Sequence, residues 1–300
     1  MLPQYLWRHL VSSPSTKYNH YSSAINIMAK TEFAGKFLDD ILSTLKNFAP
    51  LTLAESWDNV GLLIDPMESH RIKRILLTND LTEDVVKEAI NINAGLIISY
   101  HPNIFQPLKS VTSKSWKERI IVQCIKHNIA VFSPHTSWDS VRGGVNDWLG
   151  QALNVKESTP LSQNPLNPEC GPGRLCLLEE QLTVEQIIAN IKLHIGIPHL
   201  RLALAKQKTE KDTVSTVALC AGSGSSILKG VNADLYLTGE MLHHDVLDAT
   251  QNGIHVILCN HSDSERGFLK YFQATLHKSL LNAEVGVSVS QVDRDPLFTV

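Results

Sequence analysis

The sequence has few features of a membrane protein, a nucleic-acid-binding protein or a disulfide-stabilised protein. No apolar run approaches the roughly 20 residues that a membrane-spanning helix requires. The net charge of −3 lacks the basic excess with which a broad nucleic-acid-binding surface neutralises phosphates. The five cysteines are odd in number and form no CxxC pair, which argues against a cysteine-based zinc site. Reduced thiols in a reducing, cytoplasmic compartment are the simplest interpretation.

The composition is that of a folded protein with a sizeable core. The chain has 300 residues, of which 43% are hydrophobic and 19% are charged. These values predict either one large domain or two domains of ordinary size.

The first 31 residues differ from the rest in composition. They contain Arg8, Lys17 and Lys30, several serines and no acidic residue. Such a segment is typical of a mitochondrial transit peptide, and a disordered extension is the alternative. Met28 offers an internal start that would give a cytosolic form without this leader.

Short β-branched runs alternate with amphipathic segments through both halves of the remaining chain. The predicted strands lie at 75–78, 96–98, 130–132, 214–220, 233–238 and 254–258. This alternation predicts an α/β fold with mainly parallel sheets and an internal duplication.

The predicted domains follow from this rhythm. The first α/β domain spans 32–153, a Pro-rich linker spans 154–173, and the second α/β domain spans 174–300. The final segment, 285–300, alternates apolar and polar residues, which favours a strand that crosses back onto a sheet.

Polar side chains follow several of the predicted strands. His101 follows the second strand, Asp139 comes soon after the third, and His261 follows the last. Glu265 is four residues beyond His261, so a helical turn places both side chains on one face. Because the carboxyl ends of parallel strands share one edge, we expect these four residues to hold a divalent metal ion. Nitrogen and oxygen ligands suit zinc, iron, manganese or nickel, although a hydrogen-bonded loop residue is the commoner explanation for each residue alone.

Two turns leave alternatives open. Asp58 and Asn59 precede a strand, where a role in the site competes with the commoner role in a turn. The Gly-Ser-Gly turn at 222–224 follows a strand and can cradle an anion, although a tight strand-to-helix turn is the commoner structure.

Eight segments between residues 33 and 300 carry a specific combination of motifs. They are APLTLAESWDNVGLLI, LLTNDLTEDVVKEAI, LIISYHPNIF, SPHTSWDSVRGGVN, ALCAGSGSSIL, ADLYLTGEMLHHD, CNHSDSERG and QVDRDPLFTV. In this order they resemble the NIF-three-like family, the NGG-interacting-factor-three-like proteins, often labelled GTP cyclohydrolase 1 type 2. The resemblance implies two similar, intertwined α/β/α domains, a toroidal homohexamer and a two-metal centre that faces the interior.

The same resemblance assigns metal-ligand roles in this sequence. The matching motif positions are occupied by His101, Asp139, His261 and Glu265. One position departs from the family pattern, because the first histidine of its His-His-Pro motif is Tyr100 here, as in the eukaryotic branch. A neutral phenol is a poorer ligand than imidazole, which leaves open whether the site holds one metal ion or two.

Two further residues in matching motifs, His135 and Glu240, are candidates to assist the metal ions or to move protons. The sequence therefore predicts a metal-dependent hydrolase that activates water, with a nucleotide-like molecule among the candidate substrates. The alternative is a non-enzymatic metal-binding scaffold that interacts with transcriptional co-regulators, an association that the resemblance implies. An interaction with transcriptional co-regulators would make the nucleus a third expected location, beside the cytoplasm and the mitochondrion. No nucleic-acid or membrane partner is expected.

Overall fold

The computed structural model of the protein describes residues 33–67, 71–279 and 284–299. The predicted leader at 1–31 lies outside these described residues. None of the helices in the described ranges combines the length and the apolar character that crossing a bilayer requires.

Strands and helices alternate along the described residues. The strands are β1 (Lys36–Phe37), β2 (Gly61–Ile64), β3 (Arg71–Ile72), β4 (Arg74–Thr78), β5 (Leu96–Ser99), β6 (Ala130–Ser133), β7 (Val155–Thr159), β8 (Arg174–Thr183), β9 (Arg201–Ala203), β10 (Thr213–Ser223), β11 (Leu235–Glu240), β12 (His255–Leu258) and β13 (Gly286–Val289). The α-helices are α1 (Leu38–Phe48), α2 (Glu83–Asn91), α3 (Trp116–Lys126), α4 (Thr136–Ser140), α5 (Val145–Gly150), α6 (Val184–Ile195), α7 (Ser225–Leu228), α8 (His243–Gln251), α9 (Asp263–Arg266) and α10 (Phe268–Ser279).

Local chemistry explains where several of these helices begin and end. The Thr82 hydroxyl accepts a hydrogen bond from the Val85 amide at the start of α2. Thr183 and Gln186 form a reciprocal capping box at the start of α6. Gly196 ends α6 in the left-handed conformation, with φ of 82°. Thr183 and Gly196 thus act as the N-terminal cap and the C-terminal stop that their residue types favour.

The structure has two large sheets, the first with four adjacent parallel strands and the second with three. The first has the order β13-β4-β5-β6-β2, in which only the β6–β2 pair is antiparallel. The second has the order β7-β8-β10-β11-β12-β9, and its parallel pairs are β10–β11 and β11–β12. A unit of three parallel strands thus occurs twice, as β4-β5-β6 and as β10-β11-β12. This repeat confirms the predicted α/β fold class with its internal duplication.

Most of the apolar core lies between the inner faces of the two sheets. Ile75 and Leu77 of β4 and Leu235 and Leu237 of β11 belong to this one cluster. The intervening Leu76 belongs to a separate cluster with α2 and α3. A third cluster packs α7 and α8 against the outer face of the second sheet. Each sheet therefore has two buried faces, as parallel strands require.

The end of the chain returns to the first sheet. β13 pairs in parallel with β4, which places Val287 opposite Ile75. Beyond β13, the Asp293 carboxylate accepts a hydrogen bond of 2.7 Å from the backbone amide of Asn79. The predicted crossing is therefore confirmed, although the strand ends at Val289 instead of continuing to the end of the chain.

The structure differs from the sequence prediction at two other places. The predicted linker at 154–173 contains β7, which pairs with β8 at the edge of the second sheet. The middle of β7 is exposed and several prolines follow the strand, so its sequence resembles a linker. The sequence predicts a helix from Val246 to Gln251, whereas α8 begins earlier and includes His243 and His244. The domain boundaries at 153 and 173 stay predictions.

Candidate metal centre

Two histidines and a glutamate meet where the carboxyl ends of the two sheets face each other. His101 is the second residue after β5, and His261 is the third residue after β12. Glu265 lies in α9, one helical turn beyond His261. The two halves of the chain thus each contribute imidazole to one place, at the end of a parallel strand, as the sequence predicted for these side chains.

The three side chains form a compact group of potential ligands. One ligand atom from each of His101, His261 and Glu265 lies within 4.8 Å of the other two. The two Glu265 carboxylate oxygens are each 3.4 Å from a histidine Nε2, Oε2 from that of His101 and Oε1 from that of His261. Glu265 is 3% exposed, whereas both imidazoles are partly accessible. The group is therefore open to solvent on the histidine side.

Carboxylates hold the second nitrogen of each histidine. His101 Nδ1 is 2.9 Å from Asp80 Oδ1, and His261 Nδ1 is 2.8 Å from Glu240 Oε1. A carboxylate at Nδ1 fixes the tautomer that leaves Nε2 unprotonated and makes it a stronger ligand. Both Nε2 atoms point toward Glu265, so the arrangement resembles the carboxylate–histidine pairs that surround bound metal ions.

The electrostatics of the group favour a cation. Burial disfavours the charged imidazole of His101, but the Glu265 charge and the Asp80 hydrogen bond outweigh it and raise the pKa of His101 to about 10. Burial would raise the pKa of Glu265, yet the charges of His101 and His261 hold it below its usual value. The negative potential that attracts a proton to His101 equally attracts a metal ion.

A glycine backbone closes the wall behind the group. Gly222 has φ of 64°, a left-handed conformation that disfavours residues with a Cβ. A Cβ at this position would lie 3.2 Å from His261 Nε2 and would overlap the Glu265 carboxylate. Because the backbone lies this close to His261 and Glu265, the first residue of the turn at 222–224 must be glycine. It serves as a wall of the metal site, and the predicted anion cradle stays a prediction.

Asp139, the fourth predicted ligand, lies beside this group and not within it. Its Oδ1 accepts a hydrogen bond of 2.7 Å from the Tyr100 hydroxyl. Burial raises the pKa of Asp139 to about 6, although the Tyr100 hydrogen bond opposes the rise. The residue that replaces a family histidine therefore binds a carboxylate here. Asp139 as a metal ligand stays a prediction.

His135, predicted to assist catalysis, has its own carboxylate partner next to the centre. His135 Nδ1 is 2.7 Å from Asp58 Oδ1, and the Thr136 amide donates to Asp58 Oδ2 at 3.1 Å. The ring centroids of His135 and His101 are 5.4 Å apart. His135 also has φ of 34°, a strained conformation of the kind that occurs at functional sites.

Glu240, the other predicted catalytic residue, is engaged with His261 and lies half exposed at the rim. Through this contact, Glu240 orients the imidazole of His261. A role in proton transfer for Glu240 stays a prediction.

The donor set fits a divalent cation. Two imidazole nitrogens and a carboxylate are common ligands of Zn²⁺ and related ions and leave coordination positions for water or substrate. The side-chain amide of Asn79 donates a hydrogen bond of 3.1 Å to Glu265 Oε2, which holds the carboxylate in place.

The sequence prediction gives no role to two supporting residues, Asn79 and Asp80. Both directly follow β4, as His101 follows β5, so a search for polar residues at strand ends would include them. Asp58 is a predicted candidate for the site, with a turn as the commoner explanation. Nothing in the sequence pairs it with His135, because 77 positions separate the two residues.

Comparisons with known proteins identify the relatives of this chain. The model of the family Duf34/NIF3 (NGG1p interacting factor 3) matches residues 37–296. NIF3-like protein 1 of Drosophila melanogaster is 50% identical over 272 residues, which cover 89% of this chain and 91% of the relative. NGG1-interacting factor 3 of Saccharomyces cerevisiae is 37% identical over 280 residues, with 87% and 96% covered.

A solved structure shows the same fold. The Bacillus cereus protein related to NIF3 superposes with a TM-score of 0.79 at 22% identity, covering 88% of this chain and 99% of that one. With the family model spanning most of the chain and close relatives along nearly its whole length, this chain belongs to the Duf34/NIF3 family.

Proposed function

We propose that the protein is a metal-dependent hydrolase whose centre is formed by His101, His261 and Glu265. The observation that carries the proposal is the arrangement of these three ligands, with Asp80 and Glu240 behind the two histidines. A cavity of about 360 Å³ opens on the same side chains, so a small substrate can reach them.

Each residue has a role in this proposal. His101, His261 and Glu265 bind the cation, which when bound supplies Lewis-acid activation of water. Asp80 and Glu240 accept from the histidine Nδ1 atoms and so fix both rings. No step requires these two carboxylates to leave their partners.

His135 is suited to move the proton. The Asp58 carboxylate accepts from Nδ1–H of His135, which leaves Nε2 as the basic nitrogen. Several hydrogen bonds hold the pKa of Asp58 below its usual value in spite of burial, so it remains charged and stabilises the protonated ring. The pair resembles the base and orienting carboxylate of other hydrolases.

The substitution Glu265→Gln tests the proposal. The variant keeps the shape of the side chain but removes the charge from the most buried ligand. Because loss of a supporting residue already costs about 10–100-fold in metal affinity, loss of a ligand should cost at least about 100-fold. Metal analysis and a screen of nucleotides and phosphoesters, with and without chelator, give both readouts.

The matched control is Glu169→Gln, which removes an exposed carboxylate that pairs with Arg142. It should leave metal content and turnover unchanged. Metal-dependent turnover that survives in Glu265→Gln would refute the proposed centre of His101, His261 and Glu265.

A non-catalytic scaffold is the second candidate function. It is favoured by the name of the yeast relative, NGG1-interacting factor 3, which describes an interaction with another protein. For this chain we propose that such binding would use the outer surface. Capture of a transcriptional co-regulator that is equal for wild type and Glu265→Gln, without any turnover in the substrate screen, would favour the scaffold. The hexamer implied by the resemblance is likewise a proposal, which light scattering tests.

A further inference from the structure

We propose that Arg201 binds a phosphate group of the substrate, so that the substrate is a small phosphate-bearing molecule. The inference rests on the proposed function, because it assigns the substrate class of the same metal centre. It depends on four features of the site: the cavity, the register of β9, the pairing of the charges and the size of the adjoining space.

Arg201 shares a cavity with the metal ligands. The cavity of about 360 Å³ is lined by His101, His261 and Arg201 together with the carboxylates behind the histidines. A group held at the cation therefore lies in the same open cavity as the exposed Arg201 side chain.

The sheet register explains why Arg201 is at this place. β9 runs antiparallel to β12, and Arg201 is paired with Leu258. The first residue of β9 thus lies beside the last residue of β12, only three positions before His261. An arginine anywhere else in β9 would lie farther from the carboxyl end of β12, where the ligands are.

The carboxylates of the cavity already have partners. Asp80 contacts His101 and Arg266, Glu240 contacts His261, and Asp295 accepts a hydrogen bond from Ser262. The Arg201 side chain, by contrast, has no ion pair or hydrogen bond with any residue that the structure describes. It is the guanidinium of this cavity that is free to bind a ligand.

A phosphate group matches this pair of positive centres. It carries up to two negative charges and several acceptor oxygens, so one group can face both the cation and the guanidinium fork. A carboxylate has at most one charge and two acceptor oxygens, so it makes fewer charged contacts with the two positive centres than a phosphate group does. A second cavity of about 700 Å³ shares Asn260 and Asp295 with the first and gives room for the rest of the molecule.

The test is calorimetric titration of the purified, metal-loaded protein with inorganic phosphate and, in parallel, with acetate. Arg201→Ala should weaken phosphate binding at least about tenfold, because a charged hydrogen-bond donor is lost. The phosphate affinity of Arg201→Lys should lie between those of the wild type and Arg201→Ala, since lysine keeps the charge but lacks the planar guanidinium fork. Arg142→Ala, which removes an exposed arginine outside the cavity, should bind phosphate like the wild type.

Three results would overturn the inference: wild type that fails to bind phosphate, Arg201→Ala that binds it like wild type, or acetate that binds as tightly as phosphate. Metal content, measured separately, distinguishes this failure from that of the proposed function. If Glu265→Gln loses metal and turnover while Arg201→Ala binds phosphate normally, the hydrolase stands and the inference fails. If the wild type holds no metal but its phosphate binding depends on Arg201, the hydrolase fails and the anion site stands.

Discussion

Substituting Gly222 by alanine tests whether the backbone of β10 really forms a wall of the metal centre. The new methyl group would overlap the Glu265 carboxylate and lie 3.2 Å from His261 Nε2. Glu265 cannot retreat easily, because it is buried and held by Asn79. The carboxylate or the backbone must therefore move.

The magnitude has two parts. A residue with a Cβ in the left-handed conformation costs about 1–2 kcal/mol, which should appear in the free energy of unfolding. Displacing Glu265 should in addition weaken metal binding by about 10–100-fold, the range measured when a residue that positions a ligand is altered.

Gly253→Ala is the matched control. Gly253 has φ of 84°, and a Cβ there would meet nothing within 4 Å. The control should lose similar stability but keep full metal affinity. Urea unfolding and competition with a chromogenic chelator measure the two quantities. Equal metal affinity in Gly222→Ala and Gly253→Ala would show that Gly222 does not shape the centre.

Two other predictions concern charge. The metal-free protein should lose stability as the pH rises from about 6.5 toward 10, because the folded state keeps a proton on His101, whose pKa is raised from 6.5 to about 10. Urea unfolding over a pH series should show this loss in the wild type but not in His101→Gln, and equal profiles would contradict it. Asp147→Asn should lower the free energy of unfolding by about 3 kcal/mol, because it removes the carboxylate charge that compensates the buried guanidinium of Arg174. Glu169→Gln, at an exposed pair, should change it by less than about 1 kcal/mol in the same urea assay, and a similar change in both variants would refute the reasoning.

The sequence predicted the parts of the fold that depend on local pattern. Continuous apolar runs such as Ile75–Leu77 reveal strands buried on both faces, and Thr183 and Gly196 mark the ends of a helix. The edge strand β7 escaped because its exposed residues and the prolines after it look like a linker. Its partner, β8, is apparent only when the sheet is assembled.

The same division holds for the candidate site. His101, His261 and Glu265 were found because each follows a strand end and because the motifs are specific. Of the carboxylates that hold the two histidines, Glu240 is a candidate from its motif, but the sequence does not indicate Asp80, since a carboxylate partner depends on three-dimensional proximity. The hydrogen bond from Tyr100 to Asp139 illustrates this. The family resemblance implies that Tyr100 stands at a histidine position, but it does not indicate that the Tyr100 hydroxyl binds Asp139.

The return of β13 to β4 has a consequence for how the protein is made. Until residues 286–289 leave the ribosome, β4 has an open edge toward the side that β13 later covers. Asn79, which steadies Glu265, also receives its contact with Asp293 only then. A cation at the candidate site should therefore be held fully only after β13 and Asp293 have left the ribosome.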